Sequence, residues 1–347
     1  MQNKLEKLKH YFLGYKVIIA FSGGADSTLL AKIAQDYSDD ALAVTIDNGV
    51  MPEGFTKKAK EIAGKIGIKH EVIEENLLKN PSFSDNHPNR CYVCKDIFHS
   101  RIKDVLQEKD FDMVADGTNL TDLLEDRPGV LVNFEKDIKM PLVEVGLMSP
   151  EVRDILKDME ITYSPSTTCL ATRISSGSPL TLKKINRIQY AEKLLQKLSG
   201  TELVRVRDED GNAVIEVDYK KLLNSQTLFY IDSELKAVGF RKTTLNLGGY
   251  AHQKKELTIY KPCKDEKNKI MFETELPYLL DLEKTCKELK QLGKVKFSRE
   301  MGLAMVEVGG KNITLFSKGK IVARRVKDQV DAENTLYQLL PLIRRKI

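Results

Sequence analysis

The chain has 347 residues, of which 30% are charged, contains no tryptophan and carries a formal net charge of +5 at pH 7. Its length predicts two or three domains with a sizeable core, and no apolar run approaches the roughly 20 residues that a membrane helix needs. The N-terminal segment has no signal-peptide pattern, and five cysteines, an odd number, argue against a disulfide framework. We therefore expect a cytoplasmic protein without a membrane partner.

Positive charge is concentrated in residues 251–347, which carry 21 Lys and Arg against 13 Asp and Glu. A basic block of this kind either attracts an anionic partner such as tRNA or is the solvated surface of a lysine-rich domain. Neither clustered arginines nor interleaved aromatic residues stand out, and this favours the solvated surface.

The first half of the chain alternates strand and helix patterns. Short β-branched runs predict strands at 16–21, 41–47, 69–75 and 111–117. Apolar residues at helical spacing predict helices at 25–37, 53–67 and about 95–108. This order is typical of an α/β fold with a doubly wound parallel sheet. Ligands bind beyond the carboxyl ends of such strands, where FSGG, TIDNG and DGTN all fall.

The second half predicts smaller α+β units. Helices are expected near 149–160 and at 181–198, a hairpin at 202–219 with its turn at Asp210–Gly211, a helix at 233–240 and a strand at 243–250. The composition shifts after Tyr250, and the last block predicts a helix at 277–292, strands at about 303–308, 312–316 and 320–326, and a helix at 329–343. We expect three domains, at 1–175, 176–252 and 253–347.

The stretch SGGADS lies between the first predicted strand and the first predicted helix. Adjacent glycines allow a tight turn whose N–H groups face an anion, and the helix N-terminus favours the same charge. The stretch lacks the GKS or GKT ending of the ordinary P-loop and resembles the SGGxDS motif of the PP-loop ATP pyrophosphatases. The resemblance implies an adenine nucleotide α hydrolase-like fold and cleavage of ATP between its α and β phosphates. It assigns pyrophosphate and Mg²⁺ to Ser22, Gly23, Gly24, Asp26 and Ser27.

Two cysteines, Cys91 and Cys94, lie three positions apart in NRCYVCKD. A C-x-x-C pair can be a redox disulfide, half of a zinc site or part of an iron–sulfur site. The residues by themselves leave these three alternatives open.

Four stretches resemble, in the same order, the LarE family of ATP-dependent sulfur transferases: NRCYVCK (89–95), DGTNLTDLLEDRPG (116–129), STTCLATRI (166–174) and VRVR (204–207). The resemblance covers about residues 10–250. It implies adenylation of a carboxylate on a nucleotide-derived small molecule, followed by sulfur insertion from a sulfide or persulfide donor. A tRNA thiolase of the same superfamily, which would activate a base carbonyl, is the alternative.

The same resemblance makes Cys91, Cys94 and Cys169 the three ligands of a 4Fe–4S cluster whose fourth iron stays open. A sacrificial role for Cys169, a zinc site and a redox disulfide remain as competing interpretations. The resemblance also places Lys95 near the adenylate, where it can stabilise charge or move a proton. It makes Cys169, Lys95 and Asp26 the catalytic residues.

Several polar residues are further candidates. Asp116, Thr118 and Asn119 follow a strand end, where nucleotide or substrate binds. Arg127 and Arg173 are candidates for phosphate or carboxylate, which arginine grips with two hydrogen bonds.

Arg205 and Arg207 alternate with valines and so share one strand face. They are candidates either for a substrate phosphate or for cross-strand ion pairs with Glu216 and Asp218. Cys263 and Cys286 are expected to be bystanders, and we expect a homo-oligomer.

Overall fold

The computed structural model describes residues 2–125, 127–165, 168–217, 224–249, 258–264, 266 and 268–347. Within these ranges, no helix combines the length and the apolar character required to cross a membrane. The predicted positions Asp218, Tyr219 and Tyr250, together with 251–257, lie outside the described residues.

The N-terminal part is built on a four-stranded parallel sheet. Its strands are β1 (Lys16–Ala20), β2 (Asp40–Asp47), β3 (Lys69–Glu74) and β4 (Met113–Asp116), in the order β3-β2-β1-β4. The strands begin and end close to the predicted positions; β1 and β2 are buried apolar runs, whereas β3, at the edge of the sheet, is only partly buried. The parallel sheet confirms the predicted α/β class.

Helices cover both faces of this sheet. The long ones are α1 (Gln2–Phe12), α2 (Ala25–Tyr37), α3 (Phe55–Ile66), α5 (Arg90–Glu108) and α9 (Ser149–Asp158). Residues of α1, α2, α3 and α9 form one core with Val17 and Ile19 of β1. On the opposite face, Ile102 and Val105 of α5 pack with Ile18. The alternating sides of β1 thus separate two cores, as a doubly wound sheet requires.

Short helices occupy the segments for which the sequence predicted little regular structure. They are α4 (Pro81–Ser84), α6 (Leu120–Leu124), α7 (Val130–Glu135) and α8 (Pro141–Glu144), with single 3₁₀ turns at Leu77–Lys79 and Leu170–Arg173. Each is too short to show helical periodicity in the sequence. The start of α5 also differs from the prediction, since this helix begins at Arg90 and not near Lys95.

The middle unit contains α10 (Leu182–Ser199), β5 (Arg205–Glu209), β6 (Asn212–Glu216), α11 (Ser225–Ala237) and β7 (Lys242–Leu245). β5 and β6 form the predicted antiparallel hairpin, and β7 runs parallel to β6. Helix α11 begins eight residues before the predicted helix at 233–240, because Asn224 caps it by accepting a hydrogen bond from the Thr227 amide.

The C-terminal unit, residues 258–347, contains a six-stranded sheet and two α-helices in the part of it that the structure describes. Its elements are β8 (Thr258–Pro262), β9 (Ile270–Glu275), α12 (Leu282–Leu289), β10 (Val295–Ser298), β11 (Leu303–Val308), β12 (Lys311–Phe316), β13 (Lys320–Val326) and α13 (Gln329–Leu339), followed by a 3₁₀ turn at Leu340–Leu342. The sheet order is β10-β11-β12-β13-β9-β8. The predicted helix 277–292 is shorter in the structure, because Asp281 caps α12.

The C-terminal unit shares a hydrophobic core with the N-terminal part. Leu120, Leu123 and Leu124 of α6 belong to the same cluster as Phe272 of β9 and Leu336 of α13. A division at residue 253 therefore separates chain segments but crosses a continuous core, and the three-domain boundaries stay a prediction.

Candidate active site

The stretch Ser22–Ser27 follows β1 at the carboxyl end of the sheet and includes the first three residues of α2. Gly23 has φ of +72°, and a Cβ at this position would lie 3.2 Å from the Ile62 Cδ1 atom. The positive φ therefore favours glycine, and a larger residue would also have to displace the end of the Ile62 side chain. Gly24 is the N-cap of α2, and the Ser22 and Ser27 hydroxyl oxygens are 3.1 Å apart. The turn thus places two hydroxyls at the positive end of a helix.

Asp26 lies in the first turn of α2, and its Oδ1 atom accepts a hydrogen bond of 2.9 Å from Asn119 Nδ2. Burial and the neighbouring Asp122 carboxylate raise the pKa of Asp26 to about 6. Arg127 binds Asp122 at 2.7 Å and compensates part of this negative charge. A half-buried carboxylate, Asp26, and a buried one, Asp122, beside a phosphate loop are an oxygen-rich environment that suits Mg²⁺.

The loop after β4 packs tightly on the phosphate loop. A Cβ at Gly117 would lie 2.9 Å from the backbone nitrogen of Ser27 and 3.0 Å from Asp26 Cβ. Because backbone cannot move aside as a flexible side chain does, only glycine permits this approach. The packing brings the predicted residues Asp116, Thr118 and Asn119 next to the phosphate loop.

Lys95 forms an ion pair with Asp116, with 2.7 Å between Nζ and Oδ2. Burial alone would raise the pKa of Asp116, but the Lys95 ammonium holds it well below its usual range. Asp116 Oδ1 also accepts hydrogen bonds from the Thr118 amide at 2.9 Å and from Asn133 Nδ2 at 3.0 Å. The ion pair and these bonds fix the Lys95 ammonium at the wall of a cavity.

His99, one turn after Lys95 on α5, is buried, with its Nε2 atom 3.0 Å from Asn133 Oδ1. Since the Asn133 amide nitrogen donates to Asp116 and Thr118, its oxygen faces the ring, and the His99 Nε2 atom must donate. Burial and the Lys95 charge lower the pKa of His99 to about 4. Its Nδ1 atom is therefore an unprotonated acceptor, and it has no hydrogen-bond partner among the described residues.

Most of the predicted site residues line a cavity of about 420 Å³. Because α5 begins at Arg90, Cys91 and Cys94 lie one turn apart near its N-terminus. Cys169 directly precedes the 3₁₀ turn Leu170–Arg173. Residues 166 and 167, three and two positions before Cys169, lie outside the described part. The cavity is lined by these three cysteines and by residues that include Ser22, Gly24, Asp26, Ser27, Lys95, Asp116, Thr118 and Arg127.

Several residues that line this cavity were not predicted as site residues from the sequence, including Arg90, His99 and Asp122. The spacing of Lys95 and His99, four residues on one helix, is the only sequence signal that points to His99. Asp122 could be found from the N-L-T-D order of residues 119–122, because its side chain accepts from the Asn119 amide and completes a capping box.

The three cysteines are free thiols that influence one another. Burial, followed by negative charge on Cys169 and Cys91, raises the pKa of the Cys94 thiol. Burial and the Cys91 thiolate raise the pKa of Cys169 in the same way, and Arg90 opposes this. A bound cation would relieve that repulsion, and three thiolates are a ligand set that suits an iron–sulfur cluster or zinc.

The three thiols are suitable metal ligands by their chemistry, but the structure does not gather them into a site for a single metal ion. Within the described ranges, no three His, Cys, Asp or Glu side chains are already gathered at metal-binding distance. The three thiols nevertheless line one cavity.

A second cavity of about 420 Å³ adjoins the same phosphate loop and shares Ser22 and Gly24 with the first. Arg173 lines it and is only 2% exposed, with its Nε bound to Glu192 Oε1 at 2.9 Å. The Arg173 Nη1 atom donates to the Cys169 carbonyl at 3.2 Å, whereas its Nη2 atom has no partner among the described residues. Arg205 also lines this cavity, is 7% exposed and donates to the Val204 carbonyl.

The remaining predicted residues have other surroundings. Arg207 forms two hydrogen bonds of 2.9 Å with Glu216 and lines neither cavity. Of the two predicted roles, the cross-strand ion pair is therefore the one that Arg207 has in the structure. Its predicted second partner, Asp218, lies outside the described residues. Cys263 and Cys286 are buried in the C-terminal unit and line neither cavity.

Comparison with known proteins gives one family model and a set of relatives. The model, described as a family of unknown function (DUF7411), matches residues 15–130. The uncharacterized protein slr1717 of Synechocystis is 34% identical over 258 residues, which are 72% of this chain and 96% of the relative. The uncharacterized protein MJ0830 of Methanocaldococcus jannaschii is 32% identical, over 70% of this chain and 94% of the relative.

A third relative has a named activity. It is the pyridinium-3,5-bisthiocarboxylic acid mononucleotide synthase of Lactiplantibacillus plantarum, 29% identical over 71% of this chain and 91% of that enzyme. Shorter matches are to a chain of a glutamine-hydrolysing GMP synthase and to a tRNA-specific 2-thiouridylase.

Proposed function

We propose a reaction for this chain from one premise: it belongs to the LarE-type ATP-dependent sulfur transferases of the PP-loop superfamily. In the proposed reaction a substrate carboxylate attacks the α phosphorus of ATP, and pyrophosphate leaves. A sulfur nucleophile then attacks the acyl carbon, and AMP departs with the oxygen of the broken C–O bond. The observation that carries this proposal is that the phosphate loop, Lys95 and three cysteines line one cavity.

Pyrophosphate departure is assigned to the phosphate loop. Ser22 and Ser27 would donate hydroxyl hydrogen bonds to the phosphates, and the N-terminus of α2 would stabilise their negative charge. Asp26 would hold Mg²⁺, which neutralises the charge that develops on the leaving group. Asn119 fixes the Asp26 carboxylate by its 2.9 Å hydrogen bond.

Lys95 is assigned to the adenylate. Its ammonium, fixed 2.7 Å from Asp116, would stabilise negative charge on the acyl-adenylate as the sulfur atom attacks. The nearby cavity wall contains the apolar side chains of Phe98 and Ile102, which would strengthen this interaction once substrate displaces water.

Sulfur delivery is assigned to the cysteine side of the same cavity. Cys91, Cys94 and Cys169 would hold a 4Fe–4S cluster, which when bound supplies an iron with an open position for inorganic sulfide. Each thiolate would serve as a ligand and retain its sulfur through turnover. The same three thiolates with a water molecule would also suit zinc.

The second cavity is assigned to the acceptor. Arg173 and Arg205 line it with buried guanidinium groups, which suits a phosphate or carboxylate. A nucleotide-derived acceptor with a phosphate there would place its carboxylate toward Ser22 and Gly24, which both cavities share. We propose a small carboxylated mononucleotide as the acceptor class.

A tRNA base is the alternative acceptor. The match to a tRNA-specific 2-thiouridylase supports it, and the basic C-terminal residues are compatible with it. The two acceptors are separated by adding either a carboxylated pyridine mononucleotide or bulk tRNA to the enzyme with ATP and sulfide. Release of AMP and pyrophosphate that depends on tRNA alone would contradict the small-molecule acceptor.

The cysteines are tested by anaerobic reconstitution followed by iron and sulfide analysis. The wild type should bind about four irons per chain, and C91S, C94S and C169S should each lose most of them. C263S and C286S are matched controls and should keep the wild-type content.

A second measurement addresses the sacrificial alternative. The mass of the chain after one turnover should be unchanged, and dehydroalanine at position 169 would refute sulfur delivery from a bound cluster. The Asp26→Ala variant should release no pyrophosphate but remain folded, and pyrophosphate release at the wild-type rate would overturn the assignment of the phosphate loop.

A further inference from the structure

Helix α6 links the nucleotide cavity to the C-terminal unit. At its N-terminal end, Asn119 caps the helix and donates to Asp26 at 2.9 Å. At its other end, the Tyr278 hydroxyl donates to the Leu123 carbonyl at 2.7 Å. The five residues of α6 span about 7.5 Å. Over so short a distance, a displacement of one end of the helix also displaces the other end.

The position of α6 depends on tertiary contacts. A helix of five residues is not stable by itself, and the carbonyl groups of its last turn have no intrahelical partner. Tyr278 satisfies one of these carbonyls, and Leu120, Leu123 and Leu124 are buried in the core that contains β9 and α13. The C-terminal unit therefore provides much of the environment that fixes α6.

Two arginines near the end of the chain extend this contact. The Arg344 guanidinium lies 3.7 Å from the centre of the Phe134 ring in α7, and that of Arg345 lies 5.0 Å from the centre of the Tyr278 ring. Arg345 also lines a small cavity together with Asp122 and Arg127, which both line the nucleotide cavity too. The C-terminal unit thus contacts the segment that supplies one wall of the proposed active site.

We propose that the C-terminal unit is a positioning module for nucleotide binding, with Tyr278 as its principal positioning residue. It holds α6 so that Asn119 and Asp122 face Asp26 in the arrangement that Mg–ATP requires. The inference rests on the proposed use of ATP, and it assigns a role to a part of the chain in which none of the proposed catalytic residues lies.

The test compares Tyr278→Phe with Tyr260→Phe in the full-length chain. The first change removes the hydroxyl that reaches α6 and keeps the ring near Arg345. The second removes a hydroxyl whose partner, Glu333, lies within the C-terminal unit, and it is the matched control. Three quantities are measured for each variant: the melting temperature, the dissociation constant of Mg–ATP and the hydrogen exchange of amides 119–125.

Tyr278→Phe should weaken Mg–ATP binding about two- to tenfold, the range expected from the loss of one hydrogen bond, and should speed exchange at 119–125. Tyr260→Phe should change neither quantity. A lower melting temperature for Tyr278→Phe with unchanged ATP affinity and unchanged exchange would overturn the inference, because a structural role explains that result. If the wild type binds no ATP, the proposed function fails, and the exchange comparison alone decides whether the unit positions α6.

Discussion

Replacement of His99 by glutamine should make the stability of this protein less sensitive to acid. The folded state keeps the imidazole neutral, because burial and the Lys95 charge lower the pKa of His99 from 6.5 to about 4. An unfolded chain binds a proton at this histidine as the pH falls through 6.5, whereas the folded chain does so only near pH 4. Stability from this group is therefore present above pH 6.5 and is lost as the pH falls toward 4.

The size of the effect follows from these two values. At pH 5 the unfolded histidine is almost fully protonated and the folded one is almost neutral, which costs about 2 kcal/mol of unfolding free energy relative to high pH. The groups that face the ring, Lys95, Asp116 and Lys136, are present in both proteins. A glutamine side chain in place of the imidazole would stay neutral and could still donate to Asn133, so H99Q should lack this part of the acid loss.

The assay is urea unfolding of wild type and H99Q at pH 7.5 and pH 5.0, followed by circular dichroism. The wild type should lose about 2 kcal/mol more than H99Q between these pH values. His87, which is exposed, provides the control, and H87Q should behave as the wild type does. Equal losses in wild type and H99Q would refute the buried, neutral state of His99.

Three further outcomes are expected. Lys95→Met should cost about 3–5 kcal/mol of unfolding free energy, because it leaves the buried Asp116 carboxylate unpaired, and adding Asp116→Asn should restore most of it in urea titrations. Gly117→Ala should weaken ATP binding about tenfold in calorimetry, since its Cβ would lie 2.9 Å from the Ser27 nitrogen; wild-type affinity would contradict this packing. Phe229→Glu should lower the mass seen by light scattering if the predicted homo-oligomer uses this 75% exposed ring, and an unchanged mass would exclude the ring from its interface.

Local patterns were sufficient for the parallel sheet and the phosphate loop. The strand β1, the glycine turn and α2 follow one another without interruption, so the run of residues 16–37 already contains the whole unit. The strands β11, β12 and β13 were also predicted nearly to the residue, because alternation of buried and exposed positions is a property of each strand alone. The three cysteines and Lys95 were chosen from the resemblance of short motifs, which is likewise a local property of the sequence.

Contacts between distant segments were decided only by the tertiary structure. Asn119 meets Asp26 across 93 residues, and Tyr278 meets Leu123 across 155, and no periodicity in the sequence predicts such pairs. Arg207 binds Glu216, whereas Arg205 lines the second cavity. The geometry of the hairpin decides this difference between the two arginines. The sequence determined which groups this protein can use, because residue types and local spacing set their chemistry. The partners of these groups were decided by tertiary packing. Helix α6 packs against the C-terminal unit and Asp116 pairs with Lys95 only because the whole fold brings these segments together.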